Sequence, residues 1–355
     1  MKKKPASLKV LKLNFEHETA ESLVDKYKHV NLPTWAKGVI DFLDEFLKED
    51  TITCFTSGTT GSPKSITLKK EQLIGSAKNT LAFFAIKAGD KVLLPLSSKH
   101  IAGKMMVVRA LVGKLNLVVI EPSIDIQLLK LNHFKFSVVI PMQIVPLVRA
   151  NDSQALHDLG KILIGGSDIN QNMIEGLKEM NIGAWASFGM TETMSHFALR
   201  QLSPICEETY TCLPGFEISN NFNSQLKLKN ITLGINEIQT NDVVNIVSYG
   251  SFIWLGRADN VVNSGGVKLN PELIERKIKS LYPQVPNFVI VGITDVKLGE
   301  KLVLFHEGES FLSKSEMVIV KDKLDQYEFP KKLKKVLLFD RTASGKIIRK
   351  NYTVK

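Results

Sequence analysis

Residues 56–64 read Thr-Ser-Gly-Thr-Thr-Gly-Ser-Pro-Lys, and this short stretch decides how the rest of the chain is interpreted. It combines two glycines and five hydroxyl side chains with a closing lysine. Glycine lets a backbone turn tightly and present its N–H groups to an anion, and hydroxyl and ammonium groups bind phosphate oxygens. Clusters of Ser, Thr, Gly and Pro are usually polar surface turns. The density of donors and the final lysine favour a phosphate-binding loop over such a turn.

The phosphate loop of the P-loop NTPases is excluded by residue type and by context. That loop reads G-x-x-x-x-G-K-[ST] and opens a helix, whose N-terminus holds the phosphates. Counted from Gly58, Pro63 stands where the second glycine belongs, and residues 65–69 alternate polar and apolar side chains. This period predicts a strand. The loop instead resembles the T-S-G-T-T-G-x-P-K signature of the adenylate-forming superfamily. In that superfamily the signature loop lies between two strands. The resemblance assigns the phosphate contacts to Thr56, Ser57, Gly58, Thr59, Thr60, Gly61 and Lys64.

The composition is that of an ordinary soluble protein. The 355 residues are enough for two domains, with 44% hydrophobic and 23% charged residues. The net charge of +10 is dispersed, with no compact arginine–aromatic stripe. Such a charge attracts nucleotides and acidic acyl groups. We favour that interpretation over nucleic-acid binding.

Cysteine usage and hydropathy predict a cytoplasmic protein. Cys54, Cys206 and Cys212 are three in number and lack C-x-x-C spacing, which predicts neither a disulfide framework nor a zinc site. Residues 5–15 never become a continuous apolar run, so we expect no signal peptide. A membrane span would need about 18 consecutive apolar residues, and the sequence contains no such run.

Two motifs in the middle of the chain resemble the superfamily's adenine and α-phosphate contacts. A predicted strand over 161–164 runs into a glycine pair, and residues 188–192 (Phe-Gly-Met-Thr-Glu) resemble Y-G-x-T-E. An ordinary strand-to-helix turn and a helix cap are the respective alternatives. The resemblance assigns the α-phosphate to Thr191 and Mg²⁺ to Glu192. It assigns the adenine to Gly165, Gly166, Ser167, Phe188 and Gly189.

The acyl site is predicted around His100 and Arg109. His100 follows a predicted strand that ends at Pro95, and open α/β sheets place ligands at such ends. It resembles the superfamily's acyl-site gate, although a lone histidine is usually structural or solvent-facing. Arg109 lies nine residues later on a predicted helix, where a surface cation is an equal alternative. The spacing of the two residues resembles the o-succinylbenzoate–CoA ligases, which implies that Arg109 binds a second carboxylate.

Two later motifs resemble ribose and hinge elements. Residues 239–242 (Gln-Thr-Asn-Asp) resemble T-G-D, whose aspartate, here Asp242, accepts hydrogen bonds from the ribose hydroxyls. Asn241 replaces the glycine, and asparagine tolerates the left-handed angles of a turn. Residues 256–266 resemble G-R-x-D-x-[IV]-x-x-S-G-G, which assigns the ribose to Arg257 and the hinge to Asp259.

The end of the chain resembles the superfamily's closing T-x-[TS]-G-K, whose lysine is catalytic. Residues 341–347 carry this pattern and assign the role to Lys346. Taken alone, a glycine–lysine pair near a tail is ordinarily a solvated turn. Its weight comes from its order and distance relative to the other motifs. Strands are predicted over 288–292, 301–305 and 336–339.

These patterns predict an α/β fold in two domains. Residues 1–256 form a large N-terminal domain of layered sheets and helices with a β-rich patch over 202–255. Residues 257–355 form a small, mobile α+β domain. Only 55 residues precede Thr56, so we expect an abbreviated large domain, and a homodimer is possible.

The resemblance implies an ATP-dependent carboxylate–CoA ligase that acts through an acyl-adenylate and uses Mg²⁺. An o-succinylbenzoate–CoA ligase of menaquinone biosynthesis is the specific expectation. Another acyl-CoA or acyl-carrier ligase is one alternative. A non-catalytic nucleotide-binding relative is another, which the matches at Lys64, Glu192 and Lys346 disfavour. We expect small-molecule partners only, with no nucleic acid and no membrane span.

Overall fold

The computed structural model describes residues 9–55, 64–122, 126, 133–167, 169–342 and 347–353. Most of the predicted phosphate loop, from Thr56 to Gly61, and the predicted catalytic Lys346 lie outside the described residues. The chain divides into two compact units. The first comprises Met1–Ser167, Ile174–Phe216 and Asn230–Asn236, and the second comprises Asp168–Met173, Glu217–Lys229 and Glu237–Lys355.

The helices and strands are numbered in chain order. Up to residue 203 they are β1 (Val10–Asn14), α1 (Ala20–Lys28), α2 (Thr34–Lys48), β2 (Thr51–Phe55), β3 (Ser65–Lys69), α3 (Lys70–Phe83), β4 (Lys91–Leu94), α4 (Ile101–Gly113), β5 (Asn116–Ile120), β6 (Phe136–Val139), α5 (Pro141–Arg149), α6 (Ser153–Asp158), β7 (Lys161–Ile164), α7 (Gln171–Glu179), β8 (Ala184–Met190) and β9 (Ser195–Ser203). They continue as β10 (Tyr210–Cys212), β11 (Glu217–Asn220), β12 (Gln225–Asn230), β13 (Ile235–Ser248), β14 (Ser251–Arg257), β15 (Val262–Ser264), β16 (Val267–Leu269), α8 (Pro271–Leu281), β17 (Phe288–Asp295), β18 (Gly299–His306), α9 (Lys314–Lys323) and β19 (Lys332–Lys335).

The first unit is built on a sheet of order β1-β5-β4-β6-β7-β8-β9-β10. Strands β5, β4, β6, β7 and β8 are parallel, whereas β1 and β9 run antiparallel at either side of them. The central strands are apolar on both faces, as expected for parallel strands covered by helices. The α/β fold class is thereby confirmed. The parallel strands all end at one edge, where such sheets bind ligands.

The two strands that flank the predicted phosphate loop form a hairpin. Strand β2 pairs antiparallel with β3, with Thr51 opposite Lys69 and Phe55 opposite Ser65. Lys64 lies immediately before β3 and is exposed. The prediction of a strand after the loop is confirmed, which removes the helix that a P-loop requires.

The second unit contains two sets of hydrogen-bonded strands. One has the order β14-β13-β12-β11, and the other has the order β16-β15-β18-β17 with β19 beside β18. Helix α8 begins at Pro271, where the fixed φ of proline suits the first turn of a helix. It buries Ile274 and Ile278 against Ile290 and Leu304 of the second sheet.

The strand predicted over 336–339 is wrong, because the pairing lies four residues earlier. Lys332–Lys335 pair in parallel with Val303–His306. Leu337 and Leu338 lie beyond this ladder and are 88% and 74% exposed. An edge strand is placed by backbone pairing with its neighbour, which an apolar run does not report.

The proposed domain boundary at residue 257 and the hinge at Asp259 stay predictions. Asp259 lies in a 3₁₀ turn, Ala258–Asn260, within the second unit. Among the described residues, no helix combines the length and apolarity needed to cross a bilayer.

Candidate active site

The carboxyl edge of the first unit's parallel sheet brings three predicted segments together. Strand β4 leads to His100, β7 leads to Gly165–Ser167, and β8 itself carries Phe188 to Met190. The sheet order β4-β6-β7-β8 places these segments along one edge. The residues that the resemblance assigns to the acyl group, the adenine and the α-phosphate therefore lie along one edge of the sheet, and their roles stay predictions.

The glycine pair after β7 keeps the backbone accessible at this edge. The Gly165 N–H donates to the Val139 carbonyl at 3.1 Å. A Cβ at Gly165 would lie 2.4 Å from Oγ of Ser187, which itself donates to the Ile164 carbonyl at 3.0 Å. A larger residue at position 165 would displace that hydroxyl. The following Gly166 is exposed, so the turn offers a flat backbone surface of the kind that a planar ring can approach.

Phe188 and Gly189 lie in a strand rather than in a helix cap. Phe188 is half-buried, with its ring 5.7 Å from that of Phe197 and 5.1 Å from that of Tyr210. A Cβ at Gly189 would lie 1.9 Å from the carbonyl oxygen of Ser195. Only glycine permits this close approach of β8 and β9, so the second residue of the motif is required by packing.

Hydrogen bonds made by the buried side chain of Thr193 fix the turn that follows β8. Residues Thr191–Thr193 form a 3₁₀ turn, and Thr193 is fully buried. Its hydroxyl accepts from the Met190 N–H at 3.0 Å and donates to the Ser195 carbonyl at 2.8 Å. Thr191 and Glu192 stay half-buried at the edge. Thr193 therefore holds the turn in place and leaves Thr191 and Glu192 at the edge.

Glu192 fits a metal ion that arrives with a nucleotide. No group of three or more His, Cys, Asp or Glu side chains able to hold a metal occurs in the described part of the chain. Mg²⁺ commonly binds through one or two carboxylates together with substrate phosphates and water. A single carboxylate next to Thr191 is the donor set that this mode requires.

His100 lies at the same edge of the sheet, between β4 and α4. It is the residue immediately before α4, and its side chain is exposed. The backbone N–H donates to the Ser97 carbonyl at 3.3 Å. The prediction of a gating role is untested by these contacts and stays a prediction.

Arg109 is a buried cation, so the surface-cation interpretation is wrong. Its residue exposure is 1%. One terminal nitrogen, Nη2, donates to Ser195 Oγ at 3.3 Å and lies 3.5 Å from His196 Nδ1. Nε has no hydrogen-bond partner, and no carboxylate pairs with the guanidinium, within the described ranges. Burial lowers the pKa of Arg109 to about 9, so the group is still a cation at neutral pH.

Three residues around Arg109 escaped the sequence analysis: Ser195, His196 and Thr80. His196 is 3% exposed, and its Nε2 lies 3.2 Å from Thr80 Oγ1 on α3. No motif contains Ser195, His196 or Thr80, and 116 residues separate Thr80 from His196. Local sequence pattern therefore carries no signal for this cluster.

The second unit brings Asp242, Arg257 and Asp259 together. Asp242 lies opposite Arg257 in the β13–β14 ladder. Arg257 Nη2 lies 2.8 Å from an Asp259 oxygen, and its Nη1 lies 4.0 Å from Asp242 Oδ1. Trp254 Nε1 donates to the same Asp242 oxygen at 2.9 Å. The turn expected at Asn241 is wrong, because that residue continues β13. The ribose roles of Asp242 and Arg257 stay predictions.

Comparison with known proteins identifies the class. The AMP-binding enzyme family matches residues 9–221, more than half of the sequence. The chain belongs to this family and is an adenylate-forming ligase. It is similar to a 2-succinylbenzoate–CoA ligase of Lactococcus lactis, with 26% identity over 337 residues that cover 87% of this chain and 71% of the relative.

Solved structures agree with the fold. An acyl-CoA synthetase (AMP-forming)/AMP-acid ligase II-like protein from Dyadobacter fermentans is 30% identical, with a TM-score of 0.65 over 96% of this chain and 98% of that one. The o-succinylbenzoate CoA synthetase of Bacillus subtilis, solved with its acyl-adenylate intermediate, gives a TM-score of 0.71. Its sequence is 19% identical, and the match covers 85% of this chain and 69% of that one. At that identity the likeness concerns the fold alone.

Proposed function

We propose that this chain is an ATP-dependent carboxylate–CoA ligase that acts through an acyl-adenylate, and that its acid is o-succinylbenzoate. The family supports the reaction class. The name of the Lactococcus lactis relative, at 26% identity, supports the acid. The observation that carries the choice of acid is the buried guanidinium of Arg109, which pairs with no carboxylate among the residues that the structure describes.

Arg109 suits an acid with two carboxylates. A buried cation without a counter-ion is costly, and an anion that reaches it removes much of that cost. Arg109 contacts Ser195, which lies opposite Met190 in the β8–β9 ladder. The cation therefore lies next to the strand that carries Gly189 and Met190. One carboxylate of the substrate would pair with Arg109, which leaves the other for activation near Thr191.

The first half-reaction joins the free carboxylate to the nucleotide. A carboxylate oxygen forms a bond to the α-phosphorus of ATP, the bond to the bridging oxygen breaks, and pyrophosphate leaves with the electron pair. Thr191 would donate to the α-phosphate, and residues 56–61 with Lys64 would hold the outer phosphates. Glu192 would hold Mg²⁺, which neutralises charge on the phosphates. Donors already oriented toward developing charge stabilise such a transition state most effectively.

The second half-reaction transfers the acyl group to a thiol. The sulfur of CoA forms a bond to the acyl carbon and AMP leaves, while the thiol proton passes to solvent. The superfamily resemblance assigns Lys346 to the first half-reaction only. The same resemblance makes Asp259 the hinge of the exchange between the two half-reactions, a gating motion of a known kind.

ATP–pyrophosphate exchange with matched acids tests the proposal. Benzoylpropionate has the succinyl chain and ring of o-succinylbenzoate but lacks the ring carboxylate. We expect exchange with o-succinylbenzoate and a kcat/KM about 10- to 100-fold lower with benzoylpropionate, the worth of a charged hydrogen-bonded contact. Exchange that prefers benzoylpropionate or fatty acids would mean another acyl-CoA ligase. No exchange with any carboxylic acid would favour a non-catalytic relative.

An arginine variant tests whether Arg109 is the residue that discriminates between the two acids. Arg109→Ala should lower kcat/KM for o-succinylbenzoate by about 10- to 100-fold while the value for benzoylpropionate changes much less. Arg149→Ala is the matched control, because Arg149 is exposed at the end of α5. An unchanged kcat/KM for o-succinylbenzoate in Arg109→Ala contradicts the assignment of the second carboxylate.

A further inference from the structure

Arg109 is the first member of a buried hydrogen-bonded chain that crosses from α4 to α3. Its Nη2 lies 3.3 Å from Ser195 Oγ, which lies 3.2 Å from His196 Nδ1. His196 Nε2 lies 3.2 Å from Thr80 Oγ1, and that hydroxyl lies 3.1 Å from the Ser76 carbonyl oxygen. Thr80 and His196 are both buried, at 0% and 3% exposure.

The chemistry of the two ends fixes the direction of all but one of the bonds in the chain. A guanidinium only donates and a carbonyl oxygen only accepts. Arg109 therefore donates to Ser195, and Thr80 donates to Ser76. Because the Thr80 proton is used on Ser76, Nε2–H of His196 donates to Thr80. Ser195 Oγ has two lone pairs as well as a proton, so it donates to Nδ1 when the imidazole is neutral and accepts from Nδ1–H when the imidazole is protonated. The Arg109–Nδ1 approach of 3.5 Å agrees with a lone pair on Nδ1.

Electrostatics favours the same state. Burial, and secondly the positive charge of Arg109, hold the pKa of His196 well below its ordinary value. The imidazole is therefore neutral at physiological pH. A protonated imidazole would turn Nδ1 into a second donor facing the Arg109–Ser195 pair.

The backbone at this point is held in an unusual conformation. Met194 has a φ of 57° and Ser195 a φ of 139°, both in the region that favours glycine. Such angles persist where the surroundings impose them, and they are common at functional sites. The ladder pairs Gly189 with His196, so the same bend that ends the Phe188–Glu192 motif directs His196 toward Arg109.

We propose that His196 is a positioning residue for Arg109, and that it sets the preference of the acyl site for an acid with a second carboxylate. This inference rests on the proposed function. By accepting at Nδ1, His196 holds the Ser195 hydroxyl, and Ser195 in turn holds the guanidinium through Nη2. Nε, which has no partner among the described residues, is left for the substrate. Without His196, Ser195 and the guanidinium can each rotate, and the cation is no longer held for bidentate binding.

The selectivity of three variants tests the inference. His196→Leu removes both hydrogen bonds, whereas His196→Gln keeps an acceptor and a donor in one side chain. Thr80→Val is matched in shape, does not touch Arg109, and leaves Nε2–H without its acceptor. The readout is the ratio of kcat/KM for o-succinylbenzoate to kcat/KM for benzoylpropionate, measured by pyrophosphate exchange.

We expect His196→Leu to lower this ratio about tenfold, mainly through KM, and His196→Gln to restore most of it. Thr80→Val should lower the ratio by a smaller factor, and it carries the test if His196→Leu does not fold. Equal losses for both acids would mean a purely structural role. An unchanged ratio in a folded His196→Leu protein would likewise overturn the inference.

A spectroscopic readout separates this inference from the proposed function. Long-range ¹H–¹⁵N correlation spectra of the free enzyme report which ring nitrogen carries the proton, and His196 is assigned by its loss in His196→Gln. At neutral pH we expect a neutral ring protonated on Nε2. An Nδ1–H tautomer or an imidazolium overturns the proposed hydrogen-bonded chain, whatever the substrate. If the wild-type enzyme does not discriminate between the two acids while the Nε2–H tautomer is found, the proposed substrate is wrong and His196 has no role in substrate preference, whereas the hydrogen-bonded chain from Arg109 to Thr80 stands.

Discussion

Nη2 of Arg109 lies 3.5 Å from Nδ1 of His196, and both side chains are buried on the first unit's sheet. Two buried cations at this distance repel each other strongly, which favours a neutral state for one of them. Burial holds the pKa of Arg109 at about 9 and that of His196 well below its ordinary value. At neutral pH the pair therefore consists of one cation and one neutral acceptor, the arrangement that a carboxylate-binding site needs.

The charge state of Arg109 predicts how substrate preference depends on pH. The folded-state pKa is lowered, so the cation is present below about pH 9 and is lost as the pH rises through that value. The kcat/KM ratio of o-succinylbenzoate to benzoylpropionate should be constant near neutral pH and fall above about pH 9, because kcat/KM reports the free enzyme. Titrations elsewhere in the site affect both acids and cancel in the ratio. A ratio that stays flat to about two units above that pKa contradicts the assignment.

Gly189→Ala should damage both stability and selectivity. The added Cβ would lie 1.9 Å from the Ser195 carbonyl oxygen, a backbone atom that cannot rotate away. We expect a loss of at least about 1–3 kcal/mol in the free energy of unfolding, measured with urea, as for other overpacked sites. The kcat/KM ratio of o-succinylbenzoate to benzoylpropionate should also fall, because Ser195 and His196 shift with the strand.

Gly183→Ala is the control for that change. Its Cβ would meet the Trp185 ring at 3.4 Å, an ordinary contact, so stability should change by less than about 0.5 kcal/mol. Similar losses in the two variants would mean that the β8–β9 approach is not the cause.

The frame of the site could be predicted from local sequence, because strands, glycines and turns are local features. The alternation over residues 65–69 gave strand β3 correctly, and the glycine pair marked the end of β7. Arg109 was placed on its helix, yet its burial depends on β9, which lies 86 residues later in the chain. The hydrogen-bonded chain through His196 and the position of β19 likewise depend on residues that are distant in the sequence. Asn241 shows the converse, since a residue that tolerates a turn is held extended by its strand pairing.

Arg349 should contribute strongly to the stability of the second unit. It makes two hydrogen bonds to the Glu275 carboxylate, at 2.7 and 2.5 Å, and a third to the Ile290 carbonyl at 3.0 Å. The side chains of Arg349 and Glu275 are only 14% and 5% exposed. Arg349→Leu would leave a buried, unpaired carboxylate, at a cost of about 3–5 kcal/mol in the free energy of unfolding.

The exposed pair of Lys335 and Glu309 provides the comparison for Arg349. Because water already screens this pair, Lys335→Ala should leave the melting temperature almost unchanged. If chemical denaturation of Arg349→Leu gives a curve that coincides with the wild-type curve, the buried pair does not stabilise this unit.

Lys346→Ala should separate the two half-reactions. The resemblance of residues 341–347 to T-x-[TS]-G-K makes Lys346 a donor to the charge that develops when the carboxylate attacks ATP. Removal of one such donor commonly costs about 10²–10³ in rate, so pyrophosphate exchange should fall by at least that factor. Thioester formation from supplied acyl-adenylate and CoA should fall much less, because no pyrophosphate leaves in that step. Lys350→Ala, an exposed lysine four residues on, should keep both activities. Equal losses in the two assays for Lys346→Ala would place the lysine in the fold, or in both steps, rather than in adenylation alone.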